Sequence, residues 1–296
     1  MITTLNNSIS NSILDFDARE FIDTCGITSS NIIRNINDCF KELKRSGIWD
    51  SIYYGFAMIY SGTSQSMLVD IKSRQSLNSY IPISGPTTSA TYSTTGIQYN
   101  GGEFLAIDNI PFGNIINSDS APGHISIYNR TDYNSLGLTL SSKHGYREIF
   151  GGYEQSFSFT NTGVSGSLWN AAGPMGFSVS NTSGFFLFSN VDDNDGIPAS
   201  ISNPYKFYMS RNGQILGSQS SVKNYHTFGS NIVIGAFTEN LLISLESSFD
   251  EICWYSIGSG FGSESQYGRQ IDIEKQEIYF QIIQKLQKSL SREKDT

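Results

Sequence analysis

Tyr208-Met-Ser-Arg-Asn-Gly-Gln-Ile-Leu216 decides the fold class. Asn212 and Gly213 both tolerate positive φ, which the two-residue turn of a β-hairpin demands. The flanking runs are short and rich in β-branched or aromatic residues, so the nine residues read as strand, turn, strand. The same texture extends outward from Ile52 to about Ser256. Gly96–Tyr99, Phe104–Ile107, His124–Tyr128, Gly137–Leu140, Ser156–Phe159, Phe177–Val179, Gly184–Phe188, Tyr205–Met209, Asn231–Phe237 and Ile252–Tyr255 are strand-like. Turns bearing Gly, Asn, Ser or Pro separate them, and Asn100-Gly101 is expected to be a second hairpin turn. Short strands at this spacing predict an all-β sandwich.

Composition agrees. Charged residues make up 16% of the 296-residue chain and aromatic residues 13%, against about 25% charged in ordinary domains. Serine is about one residue in six, a level that suits turns and strand edges better than helix bundles. The 38% of hydrophobic residues suffices for a core and excludes wholesale disorder. A net charge of −8 and a pI near 4.9 argue against a grip on a nucleic-acid backbone. Cys25, Cys39 and Cys253 are an odd set without metal-type spacing, and read as buried free thiols. No apolar run reaches the ~18–20 residues of a membrane span. Met1 to Ser12 carries neither a basic segment nor an apolar core of export-signal length. An extracellular-looking β-protein without an export signal fits a viral structural protein, made in the host cytoplasm and released by lysis.

The ends differ from the middle. Asp15 to Gly26 reads as a short helix stopped by Gly26. Thr28 then suits an N-cap, and Ile32, Ile33, Ile36, Phe40 and Leu43 recur at helical spacing over about Ser29 to Ser46, with Gly47 as the stop. Near the end, Ile278, Ile282, Leu286 and Leu290 recur every four residues over about Asp272 to Ser291, and Arg292–Thr296 is expected to fray. The expected organisation is an N-terminal helical attachment segment (1–50), a β-sandwich (51–265) and a C-terminal helix (266–296). Each apolar stripe needs a partner. The expected partner is a second copy or another particle protein, with cover of the chain's own sheet as the alternative. Truncation after Gln270 is accordingly expected to leave the sandwich folded.

Three stretches carry a resemblance to virion fibre and tail-associated proteins of bacteriophages, notably crAss-like and related phages. Phe21 to Trp49, ending Phe-Lys-Glu-Leu-Lys-Arg-Ser-Gly-Ile-Trp and followed by Tyr53–Tyr60, resembles their helical lead-in, with Ser61 where their pattern has proline. Gly96 to Pro111 is similar to the first sandwich strands. Tyr205 to the end supplies the rest. Tyr208–Gly213 resembles a hairpin of laminin-G-like and concanavalin A-like jelly rolls, Ile232–Phe237 the following strand, Phe249–Gly258 the closing strand and Gln281–Arg292 the terminal helix. The resemblance implies a mainly β protein: a concanavalin A-like jelly-roll β-sandwich with an N-terminal helical segment and a C-terminal helix.

Sites of chemistry are sparse. A glycoside hydrolase on such a fold needs two carboxyls on one face, and no Glu-x-Asp-x-x-Glu run occurs in the strand region. Asp272, Glu274 and Glu277 open a helix, where acids complement the dipole. Glu246 and Asp250 are expected at the surface. His124, His144 and His226 have no metal-ligand neighbours at i+2 or i+4. Asp192, Asp193 and Asp195 are the one dense oxygen cluster, but an EF-hand register fails, because Val191 and Ser202 fall where Asp and Glu are required. No cofactor is expected, calcium at that loop being the open alternative. Tyr146, Tyr153, Trp169, Tyr225 and Tyr267 are expected in loops, where rings can stack on sugars. The reading is a non-enzymatic structural component of a phage virion (head fibre, decoration or tail-associated), whose jelly roll binds host-surface glycan. Its expected partners are other virion proteins and copies of itself, as a trimer or a dimer, with no nucleic acid. The alternatives are a lectin-like module of a secreted or surface protein, and a polysaccharide-degrading enzyme.

Overall fold

The apolar run at Ile252–Tyr255 lies in the middle of the largest sheet. The structure, a computed structural model, describes residues 14–81, 88–110, 123–133, 142–147, 154–170, 175–191, 205–221, 230–240, 243–265 and 268–293. The largest sheet contains β1 (Ile52–Phe56), β3 (Thr91–Tyr92), β4 (Ile97–Gln98), β6 (Gly123–Asn129), β11 (Gly184–Val191), β12 (Tyr205–Arg211), β13 (Gln214–Ser221) and β17 (Glu251–Ser259). Its order is β13-β12-β11-β6-β17-β4-β3, with β1 also paired to β17. A second sheet contains β7 (Ser142–Arg147), β8 (Glu154–Thr160), β9 (Gly163–Asn170), β10 (Met175–Ser178), β15 (Ala236–Asn240) and β16 (Ile243–Ser247), in the order β10-β9-β8-β7-β15-β16. β2 (Asn78–Tyr80), β5 (Phe104–Ile110) and β14 (Ser230–Ile234) form a third sheet, and β18 (Gly262–Ser265) and β19 (Gly268–Ile271) a ribbon. Pairing is antiparallel except between β7 and β15. The protein is a mainly β, jelly-roll-like sandwich with helices at both ends: α1 (Phe16–Thr24), α2 (Ser30–Arg45) and α3 (Ile273–Ser289).

The Asn212-Gly213 turn forms as expected. Both residues have positive φ, 51° and 79°, and Arg211 pairs with Gln214 across the turn. Gly213 is also needed for space, since a Cβ there would lie 3.1 Å from Glu277 Cα on α3. Asn100-Gly101 is different. Gly101 has φ +86°, but β4 and β5 lie in separate sheets, so the turn passes the chain between layers and closes no hairpin. The run Asn231–Phe237 is likewise split by Gly235 (φ +95°) into β14 and β15, which belong to different sheets. The Tyr99 ring packs against Gly235 so closely that any Cβ there would be 2.1 Å from it.

The central strands of the large sheet, β6, β11 and β17, are buried on both faces. Along β11, Phe186 and Phe188 enter the core between the sheets with Phe157, Phe159 and Phe207, whereas Phe185 and Leu187 enter a second core under the helices. Phe159 and Phe186 meet edge to face at 5.2 Å, and Phe188 and Phe207 stack at 5.7 Å, arrangements aromatic rings favour. In β17 the register against β6 shifts between Ile252 and Trp254. This bulge puts the adjacent Cys253 and Trp254 both on the helical side, with Ile252 and Tyr255 on the sandwich side. All three cysteines are buried and unbonded.

The helices complete the second core. Ala18, Phe21 and Ile22 of α1, Ile36, Cys39, Phe40 and Leu43 of α2, and Tyr279, Ile282, Ile283 and Leu286 of α3 share one apolar cluster with Tyr128, Phe185 and Trp254. The stripe expected to face another chain therefore covers the chain's own sheet. Ile282 and Leu286 are buried, while Ile278 and Leu290 pack partly buried against the same cluster. Ser29 rather than Thr28 is the N-cap of α2. All three helices stop in the same way. The residue after the cap turns left-handed at Gly26, Gly47 and Ser291, and the next N–H reaches back to Ile22, Leu43 and Gln287, the Schellman arrangement.

Truncation after Gln270 is consequently expected to unfold the whole chain, contrary to the sequence expectation. Loss of α3 bares Tyr128, Phe185 and Trp254, and burial of each large side chain contributes roughly 2–3 kcal/mol. Near-ultraviolet circular dichroism and a melting curve of the truncated chain test this. A sharp, native-like transition would show that the helix is dispensable.

Candidate functional site

The described histidines are the first residues to test for chemistry. His124 projects from β6 into a fully buried polar cluster beneath α3. Its Nδ1 lies 2.6 Å from the Ser259 carbonyl and so carries the proton. Its Nε2 then accepts from the Ser256 hydroxyl at 3.0 Å. Tyr279 OH in turn donates to Ser256 Oγ at 2.7 Å, and Trp254 Nε1–H lies 3.2 Å from both Ser126 Oγ and Tyr279 OH. A Ser–His pair at 3.0 Å has the look of a nucleophile and base. Here the third position is a backbone carbonyl in place of a carboxylate, and Tyr279, Trp254 and Phe261 close the cluster from solvent. It ties helix to sheet.

The second histidine is equally committed. His144 Nδ1 accepts the Gly235 N–H at 2.9 Å, so Nε2 carries the proton toward Asp250 Oδ2 at 2.8 Å. Asp250 is completely buried, not at the surface as expected. Its carboxylate is placed by the residues that flank β17 and is paired with β7, joining the two large sheets. Glu103, also buried, accepts from Ser79, Tyr92 and the Ala90 N–H at 2.5, 2.6 and 2.9 Å. Among the described residues, no group of His, Cys, Asp or Glu is arranged to hold a metal ion.

The expected sugar-stacking aromatics divide. Tyr146 lies in β7 and Trp169 in β9, so neither is a loop residue. β8 runs between them, and Tyr146 pairs with Gln155, which pairs with Leu168. Both therefore sit toward the same end of the second sheet. Tyr153, Tyr225 and Tyr267, the acidic residues Asp192, Asp193 and Asp195, His226 and the strand expected at Gly137–Leu140 lie outside the described residues.

A surface cleft of about 320 Å³ lies where α2 begins and α3 ends, at the lower end of the ~300–1,000 Å³ of ligand sites. Ile32, Ile59 and Leu290 supply apolar surface, Tyr60 a ring, and Ser29, Asn31, Thr94, Ser289 and Ser291 hydroxyl and amide groups. The Tyr60 segment is firmly held. Ser61 Oγ donates to the Cys25 carbonyl at 2.6 Å, and Ser61 N–H donates to Ser66 Oγ at 3.0 Å. A proline at position 61 has no N–H to give, so the serine has a local structural use. Arg292 forms the inner wall. Instead of fraying it is 1% exposed, donating from Nη1 to Met58 O at 2.8 Å and from Nη2 to Ala57 O at 3.0 Å. Burial lowers its pKa.

No protein-family profile matches the chain, and no curated protein matches it. Solved structures to which the chain is similar include the binding domain of botulinum neurotoxin serotype D, at 11% identity and a TM-score of 0.45, covering 78% of this chain and 52% of that one. The binding domain of botulinum neurotoxin DC in complex with rat synaptotagmin II aligns at 10% identity and a TM-score of 0.46, covering 79% and 52%. A Trypanosoma rangeli sialidase, in complex with 2,3-difluorosialic acid as a covalent intermediate, aligns at 10% and 0.47, covering 84% and 39%. The chain spans about half the length of the neurotoxin domains it matches. The likeness to phage proteins rests on the sequence stretches alone.

Burial depresses the pKa of His124 to about 4, with the charge of Lys275 adding to the effect and the Ser259 hydrogen bond opposing it. The folded protein thus holds His124 neutral, while the unfolded chain binds a proton near pH 6.5. Stability from this group is complete above that value and is lost as pH falls toward 4. Between pH 7 and pH 5 the loss is about 2 kcal/mol. Urea unfolding at the two pH values measures it, and the His124→Gln variant should show a flatter dependence. An equal slope in wild type and variant contradicts the assignment.

Proposed function

We propose that this protein is a non-catalytic, glycan-binding β-sandwich carried as a structural component of a bacteriophage virion. The observation that carries the binding half is the cleft between α2 and α3, where one aromatic ring and three aliphatic side chains meet hydroxyl and amide groups. Sugars present that combination of apolar ring faces and hydroxyl edges, and such clefts orient ligands through few polar groups. The engagement of His124, His144, Asp250 and Glu103 in internal hydrogen bonds supports the non-catalytic half. The virion half is supported by the resemblance of the lead-in, sandwich strands and terminal helix to phage fibre and tail-associated proteins.

A glycan array carrying bacterial capsule and surface polysaccharides tests the binding reading. The wild-type chain should bind a subset of them, and Tyr60→Ala should weaken binding about tenfold, or ~1.4 kcal/mol, with an unchanged circular dichroism spectrum. Absence of wild-type binding above background sinks the glycan reading. Absence of this chain's peptides from purified particles sinks the virion reading.

A further inference from the structure

β13 ends the large sheet. It pairs with β12 on one side, and no strand among the described residues pairs with its outer side. It is eight residues long, whereas the other described strands that end a sheet span five residues or fewer. Gln214, Ser218, Gln219 and Ser220 are exposed, and Leu216, 38% exposed, adds apolar surface. An edge strand offers a row of backbone N–H and C=O groups to another strand, and proteins usually blunt it with charge, proline, bulges or brevity. β16, at the end of the second sheet, is blunted in this way: it is short, carries Glu246 and loses register twice against β15. From Asn212 to Val222 the chain has neither a charged residue nor a proline. The register of β13 shifts opposite Met209 and Ser210, near the turn, but from Gly217 to Ser221 it runs unbroken against Tyr205–Met209. This stretch is also held from behind. A Cβ at Gly217 would lie 2.9 Å from the Phe177 ring, and Gln219 Nε2 donates to the Gly176 carbonyl at 3.3 Å.

The occupant that satisfies such an edge is another strand, and the sequence of the edge favours its own. About a two-fold axis at Gln219, antiparallel pairing sets Gly217 against Ser221 of the second copy, Ser218 against Ser220, and Gln219 against itself. Hydroxyl then meets hydroxyl and amide meets amide, with no bulky side chain to clash. Charge matching agrees. Two copies that each carry −8 repel wherever acids meet, and this edge brings none together. An acidic or basic strand from another protein would find no opposite charge on it. We propose that two copies of this chain join edge to edge, with β13 of one antiparallel to β13 of the other, so that their large sheets become continuous. A two-fold contact of this kind is self-complementary and closed. It is also small, which places it among the weak interfaces, formed where the chain is concentrated. The dimer is independent of the glycan and virion readings.

Sedimentation equilibrium of the full chain over a rising concentration series tests the proposal. The wild-type chain should pass from monomer to dimer. Gln219→Lys and Gln219→Glu each set like charges face to face at the axis, where they should weaken the dimer about tenfold or more. Gln219 is exposed, so both variants should keep the wild-type melting temperature. A one-to-one mixture of the two variants should dimerise again, because Lys then faces Glu across the axis. That recovery also shows both variants to be folded. A wild-type chain that stays monomeric at every concentration overturns the proposal, and so does a trimer, which a two-fold contact does not build. Variants that associate as tightly as the wild type, or a mixture that associates no better than either variant alone, overturn the assignment of the contact to β13.

Discussion

The pairing of β17 with β6, buried from both sides, is the constraint on which the rest of the structure depends. A sheet with one wet face can stand against a single partner layer. Here Trp254 and Tyr128 point one way while Tyr255, Ile257, Ile125 and Ile127 point the other, so the sheet needs two covers. The second sheet is one, and the three helices are the other. The bulge at Ile252/Trp254 fixes which residue goes where. A one-residue slip would exchange the faces. The helices therefore belong to the fold as fully as the strands do, and their sequence is set by the shape of the sheet beneath them.

Polar groups inside these two cores act as fasteners between layers. His124, Ser126, Ser256, Tyr279 and Trp254 join α3 to the large sheet. His144 and Asp250 join the two sheets, with Gly235 giving both the N–H and the space. Arg292 ties the end of α3 to the chain beyond β1. Buried polar groups are costly when unpaired and specific when paired. Each fastener thus stabilises one arrangement of layers over its alternatives. The cleft proposed as the binding site opens where two of these layers end, beside Arg292.

Much of the fold was legible because local rules decided it. The Asn212-Gly213 hairpin, the strand texture and the helical periods all follow from short-range geometry. The glycine stops at 26 and 47 were equally visible, whereas the third stop uses Ser291 in the left-handed region. Without a glycine to mark it, the end of α3 reads as fraying, and Arg292 reads as tail. The run Asn231–Phe237 reads as one strand because its division depends on Tyr99 packing over Gly235, a contact remote in sequence. Asp250 reads as surface for the same reason, since its partner His144 is far away in the chain. The α3 stripe was read correctly as apolar, but a stripe alone does not say what covers it. The cleft was not legible at all: its walls come from α2, the segment after β1, a turn at Thr94 and the end of α3.

The central claim is that helices and sheet form one cooperative unit around the doubly buried strands. Native-state hydrogen exchange measures this most directly, because it reports the opening free energy of each amide. The account predicts that the amides of Tyr279, Ile282 and Ile283 in α3 exchange with the same opening free energy and denaturant dependence as those of Ile125, Ile127 and Trp254. Exchange of α3 through a separate opening several kcal/mol below that of β6 and β17 would contradict it.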